Sequence, residues 1–162
     1  MSSPYRAEFE EALRLFARVS EAMVAAGHNR PVLVGVGAVE VYSNSAMVTG
    51  DFDIVTGWQE EFETILRAHG FERLSVPGKA TRGWVHPGLA LGFEVVSDTL
   101  LDGYADRARV RVIDAGTDGQ ATTIGIEDMI ADRMGQFASG TAPDMREQAQ
   151  RPGESGELVT GR

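Results

Sequence analysis

"VLVGVGAVEVYSNSAMVTGDFDIV", Val32 to Val55, is the stretch on which the fold turns. Its β-branched start, with Pro31 ahead of it, reads as a short buried strand. Gly35 and Gly37 open into "AVEVY", a short helix that closes in the polar turn "SNS". The chain returns as "DFDIV", an apolar strand carrying two aspartates one residue apart. Side chains alternate across a strand, so Asp51, Asp53 and Val55 share one face and Phe52 and Ile54 the other. The two carboxylates then stand about 6–7 Å apart along the chain. Unpaired like charges repel and are costly to desolvate, and a divalent cation between them removes the conflict. Magnesium, or manganese in its place, prefers carboxylate oxygen, keeps several waters and is commonly held by one or two carboxylates plus substrate phosphates. A local explanation stands beside this one for Asp51, which follows a glycine at the strand's start, where aspartate is favoured as a turn residue.

"LALGFEVVSD" offers a third carboxylate. Leu91, Phe93 and Val95 share one face of this strand, leaving Glu94 on the other with Gly92 and Val96. If the two strands are neighbours, Asp51, Asp53 and Glu94 converge on a metal centre. Two ions about 3.5–4 Å apart would fit the two-metal mechanism of phosphoryl and nucleotidyl transfer. Gly35 and Gly37, between a strand and a helix, leave backbone N–H groups free to hold phosphate, with the helix dipole assisting. A dinucleotide-binding fingerprint begins the same way. Its third glycine is missing, however, because position 40 is Glu40, and the acidic pair comes sooner than the ribose-binding carboxylate expected about 20 residues on.

Around this centre the chain reads as one α/β domain over residues 1–140, a mixed sheet with helices packed mainly on one side. Phe9, Leu13, Phe16 and Met23 recur at helical spacing between Pro4 and Ala26, and Gly27 supplies a stop. After "DFDIV", Thr56 and Gln59 have capping-box spacing ahead of a helix lined by Phe62, Ile65 and Leu66 that closes at Gly70. "FERLSV", "TRGWVH", "LALGFEVVS", "RVRVI" and "ATTIG" read as strands, and Ile126, Met129, Ile130, Met134 and Phe137 as a last helix ending near Gly140. Residues 141–162 are polar, lack apolar periodicity and read as a mobile tail.

The 162 residues carry no cysteine, which excludes disulfides and thiolate metal sites, and a net charge of −9, which argues against wholesale binding to a phosphate backbone. A local basic patch remains open, because Arg73, Lys79, Arg82, Arg107, Arg109 and Arg111 fall in one part of the chain. The N-terminus has acidic residues where an export signal needs a basic start, and no stretch approaches the roughly 18 apolar residues of a membrane helix. The expected location is the cytoplasm, with no membrane partner.

Glycines after a strand, a short helix, a D-x-D strand and a later single carboxylate resemble the nucleotidyltransferase (DNA polymerase β-like) superfamily. More narrowly, "LVGVGAVEVYSNSAMVTGDFDIV" with "GIEDMIADRMGQFASG" is similar to the small prokaryotic DUF6036-like nucleotidyltransferases related to the AbiEii-type toxins of toxin–antitoxin systems. The likeness runs from Val32 to Gly140 and implies a metal-dependent transferase. On it, the glycine turn would contact a nucleoside triphosphate, Asp51 and Asp53 would bind magnesium, and Glu94 would complete the metal site and orient the acceptor hydroxyl. Thr49 matches a position that is often Ser or Thr in related sequences. Glu127, Asp128, Asp132 and Arg133 match the family's last helix, where an ion pair of Asp132 or Glu127 with Arg133 would hold the helix. An RNA such as tRNA, a protein or a small molecule would be the acceptor, and a cognate antitoxin and a homodimer are implied partners. Val36 stands where the family usually has a second glycine, and a catalytically inactive nucleotide-binding or protein-interaction module is the alternative. Lys79 and Arg82 are the candidates for triphosphate charge, since a cleft of carboxylates needs cations beyond the metal. His86, beside Trp84, is either a cleft residue or an ordinary strand-end histidine, while His28 and His69 suit helix C-termini.

Overall fold

The computed structural model describes residues 3–78, 83–100 and 107–139. Among the described residues, four helices, α1 (Ala7–Ala25), α2 (Gly35–Ser43), α3 (Gln59–Ala68) and α4 (Ile126–Ser139), accompany seven strands. The strands are β1 (Val32–Val34), β2 (Asp51–Val55), β3 (Glu72–Arg73), β4 (Gly83–Val85), β5 (Gly92–Ser97), β6 (Arg111–Asp114) and β7 (Gln120–Thr123). They form one mixed sheet in the order β3-β4-β5-β2-β1-β7-β6. β2 runs parallel to β5 and β1 parallel to β7, while the other neighbours are antiparallel.

One face of the sheet carries the larger core. The apolar stripe of α1, Phe9, Leu13, Phe16 and Met23, is buried against Phe52 and Ile54 of β2 and Phe93 of β5, with Phe62 and Leu66 of α3 alongside. Phe52 and Phe93 stack at 5.1 Å between ring centroids, and Phe16 meets each of them edge-on at 5.8 Å. Such pairs add to what burial alone contributes. α2 and α4 cover part of the opposite face, where Ala38, Val39 and Met129 meet Val32, Val34, Val55 and Ile124. The alternation read in "DFDIV" is therefore literal. The aromatics lie behind β2 and the carboxylates in front.

Element boundaries shift for local reasons. Thr56 and Gln59 form no capping box, because the Thr56 N–H bonds the Ser97 carbonyl and keeps this residue with the sheet. Its hydroxyl accepts from Trp58 N–H at 3.1 Å, and Gln59 becomes the first helical residue of α3. "FERLSV" contributes only the two residues of β3. In "RVRVI" the strand starts at Arg111, since Arg107–Arg109 coil into a 3-10 turn that sets the Arg109 guanidinium 3.0 Å from Asp128 of α4. The tail at residues 141–162 lies outside the described residues.

Candidate metal centre

Strand register assembles the acids. Val34 of β1 is opposite Asp53 of β2, Asp53 is opposite Glu94 of β5, and Glu94 is opposite Gly83 of β4, so these four occupy one row on the front face. Directly opposed residues on paired strands share a face, with Cβ atoms about 4.5–5.5 Å apart. Two residues along and so on the same face, Asp51 is paired with Gly92. Asp51, Asp53 and Glu94 each present a carboxylate oxygen such that the three lie within 4.8 Å of one another. Asp51 is exposed at the strand's start, and Asp53 and Glu94 are half-buried.

The electrostatics follow from this crowding. Burial first, then the neighbouring charges of Asp51 and Glu94, push Asp53 up to about 6, against a smaller opposing pull from Arg133. Burial also raises Asp51. Arg133 is itself only 6% exposed and lies 3.9 Å from Asp132, its neighbour on α4. Burial lowers its pKa, which the charges of Asp132 and Asp53 partly restore. Arg133 is, among the described residues, the cation whose charge opposes the rise at Asp53. Among the described residues, neither the Asp51 nor the Asp53 side chain accepts a hydrogen bond, so these oxygens remain open to a hard cation.

Gly35 explains why Asp53 fits. Its φ of +66° is left-handed, and a Cβ there would lie 2.7 Å from Asp53 Oδ2. A side chain would thus meet both backbone strain and the carboxylate. Gly37 has a packing role, since its Cβ would come 2.9 Å from Leu33 Cδ1. Val36, between them, is half-buried. The start of α2 nevertheless abuts the acids through Gly35, and its first N–H groups have no partners within the helix.

Thr49 lies in the loop before β2, 7% exposed, and its hydroxyl donates to the Asp51 carbonyl at 2.6 Å. Lys79 and Arg82 lie outside the described residues. His86 is at the end of β4, where it packs edge-on against Phe71 at 5.1 Å and accepts the Gly88 N–H through Nδ1. His69 Nδ1 lies 2.9 Å from the Ile65 carbonyl at the end of α3, and the His28 ring sits 4.5 Å from that of Trp58. The ion pairs of α4 join Asp128 to Arg109 and Asp132 to Arg133.

One residue escaped the sequence reading. Glu40 entered it only as the absent third glycine, yet it is 0% exposed and accepts from Arg6, Ser45 and the Thr49 N–H. Burial pushes its carboxyl up, and these hydrogen bonds with the Arg6 charge outweigh that and hold it below the ordinary range. The available signal was a lone glutamate inside the apolar helix "AVEVY", which demands a partner.

No protein-family model matches the chain, and no curated protein matches it in sequence. Solved structures share its architecture. An antigenic nucleotidyltransferase-like protein from Paracoccidioides brasiliensis superposes with a TM-score of 0.61 at 13% identity, covering 88% of this chain and 72% of its own. ANT(2'')-Ia in complex with adenylyl-2''-tobramycin gives a TM-score of 0.53 at 12% identity, over 83% of this chain and 79% of its own. The solution structure of the same antibiotic-resistance factor gives 0.52 at 13% identity, over 90% and 78%. The chain therefore has a mixed α/β, nucleotidyltransferase-like fold. These likenesses bear on that fold and not on the narrower DUF6036-like or AbiEii-type families. No described helix is long and apolar enough to cross a membrane.

Proposed function

We propose that the chain is a metal-dependent nucleotidyltransferase that moves a nucleoside monophosphate from a nucleoside triphosphate to an acceptor hydroxyl. The observation that carries this reading is the meeting of Asp51, Asp53 and Glu94, each offering an oxygen within 4.8 Å of the others. The donor set suits Mg2+ or Mn2+: all three groups are carboxylates, and the two aspartates receive no hydrogen bond from the described protein. Asp51, Asp53 and Glu94 would hold the ion. When bound, it would neutralise the carboxylates and the triphosphate and lower the pKa of the acceptor hydroxyl.

The chain's own groups supply the rest. The N–H groups at the start of α2, beside Gly35, donate to triphosphate oxygens. Thr49 braces the main chain of Asp51, and Lys79 and Arg82 supply positive charge to the phosphates. Glu94 accepts the hydroxyl proton as the acceptor oxygen attacks the α-phosphorus. The bond from that phosphorus to the bridging oxygen breaks, and pyrophosphate leaves with its electron pair. The acceptor hydroxyl belongs to an RNA such as tRNA, a protein or a small molecule. A toxin role with a cognate antitoxin rests on the family resemblance alone.

Val36 supports a second reading, in which the chain keeps the fold as a nucleotide-binding or interaction module without turnover. A β-branched residue in the phosphate turn allows less close approach than glycine. Calorimetry with ATP and MgCl2 separates the two from a chain that binds neither. Magnesium-dependent binding that disappears in Asp53→Ala supports the site, and pyrophosphate release with labelled nucleotide supports the transferase over the module. A wild-type chain that binds ATP equally with and without magnesium refutes the metal reading.

A further inference from the structure

We propose that Glu40 and Arg6 form a partly buried clasp that positions Asp51. The assignment deepens the proposed function and rests on it for the role of Asp51. β1 ends at Val34, opposite Asp53, so at Asp51 the strand β2 has a neighbour on the β5 side only. Support on the other side comes from the loop between α2 and β2. Two residues of that loop, Asn44 at φ 52° and Ser45 at φ 66°, are non-glycine residues in the left-handed region. Such conformations persist where the surroundings over-determine them.

The Glu40 carboxylate does this. Oε2 accepts from Arg6 Nε at 2.7 Å and from Ser45 Oγ at 2.7 Å, and Oε1 accepts from Thr49 N–H at 2.8 Å and Arg6 Nη2 at 3.1 Å. The loop is held at both ends by one side chain. Arg6 grips it again, with Nη2 donating to the Thr49 carbonyl at 2.6 Å and its own N–H to Ser45 Oγ at 3.1 Å. Thr49 passes the constraint on through its hydroxyl, 2.6 Å from the Asp51 carbonyl. An unbroken series of hydrogen bonds thus links the N-terminal segment to the main chain of an acid in the centre. A fully buried carboxylate such as that of Glu40 is a costly way to fill space that an apolar side chain could fill, and what its pairing with the half-buried Arg6 supplies in return is a fixed geometry.

The test uses the full chain and two readouts, amide hydrogen exchange without metal and calorimetric titration with Mn2+ alone. Glu40→Gln keeps the shape and removes the charge. It is expected to speed exchange over residues 44–51 about tenfold relative to β5 and β7. Mn2+ affinity is expected to fall about tenfold, the scale on which outer partners of metal ligands act. In an Asp51→Asn background the same substitution should cost no further Mn2+ affinity, because the clasp acts through Asp51. Thr49→Val, which removes the hydroxyl link to Asp51 but keeps the Thr49 N–H bond to Glu40, should lower Mn2+ affinity as Glu40→Gln does while exchange over 44–48 stays slow, with Thr49→Ser restoring wild-type affinity. Where Glu40→Gln does not fold, Arg6→Lys, which keeps the charge but loses the fork, carries the same comparisons. Unchanged exchange over 44–51 in folded Glu40→Gln, or in folded Arg6→Lys where that stands in for it, overturns the clasp. Faster exchange with unchanged Mn2+ affinity overturns its role in positioning Asp51. If the wild-type chain takes up no Mn2+, the metal reading of Asp51 falls, while the exchange result still decides whether the clasp exists.

Discussion

Replacing Asp53 by asparagine should make the metal-free protein more stable at neutral pH, and the gain can be sized. Burial and the charges of Asp51 and Glu94 raise this carboxyl from 3.8 to about 6, so it is harder to ionise folded than unfolded. The native state holds the proton to higher pH, and ionisation therefore costs stability. At 1.36 kcal/mol per pH unit the gap corresponds to about 3 kcal/mol. The carboxyl is only half-buried, so solvent screening reduces this to about 1–2 kcal/mol. The cost is absent below about pH 4, grows as pH rises to about 6, and is constant above. Urea unfolding of wild type and Asp53→Asn, each with a chelator, would be followed from pH 4 to pH 8. The difference in unfolding free energy should move in favour of asparagine by about 1–2 kcal/mol across that range. Comparing the two chains removes titrations they share, including that of Glu40, whose lowered pKa contributes stability that is lost as the medium becomes more acidic. A difference that stays flat, or moves in favour of wild type as pH rises, refutes the argument that Asp53 is a charge the metal-free fold holds at a cost.

Mg2+ should reverse that order. At a hundred times its dissociation constant it would stabilise the wild type by about 2.7 kcal/mol, and Asp53→Asn and Asp51→Ala should lose most of that gain in thermal unfolding. Gly35→Ala should destabilise by at least about 1–2 kcal/mol from its left-handed backbone alone. Its methyl group would also displace Asp53 Oδ2, so Mn2+ affinity should fall in the folded fraction, and an unchanged affinity would contradict the contact. Phe52→Ala should cost about 3–5 kcal/mol in urea unfolding, because the ring is fully buried between Phe9, Phe16 and Phe93.

The front and back of β2 were legible in the sequence because a period of two admits one arrangement: Phe52 and Ile54 need a core, so Asp51 and Asp53 must face away from it. Glu94 was legible for the same reason, with its strand's place beside β2 left as a condition that the parallel register now fulfils. Tertiary contacts decided the rest. Thr56 and Gln59 have the spacing of a capping box, but Thr56 stays paired to Ser97 on β5. Arg109 lies in a strand-like run, but its bond to Asp128 favours a turn. The Glu40 cluster draws on Arg6, which is 34 positions away, and on Ser45 and Thr49. Nothing local in the sequence links the four.

The stacked pair Phe52 and Phe93 stands directly behind the strands that bear Asp53 and Glu94, and this limits how the gene can change in length. Inserting or deleting one codon within either strand would swap front for back, bringing aromatic rings into solvent and carboxylates into the interior. Point substitutions can remove the carboxylates and leave the molecule standing, whereas frame-preserving indels there disrupt the carboxylate cluster and the core together. A library of single-codon insertions and deletions scored by a folding reporter should therefore show two blank windows, at positions 51–55 and 92–97, with no assay of the reaction required.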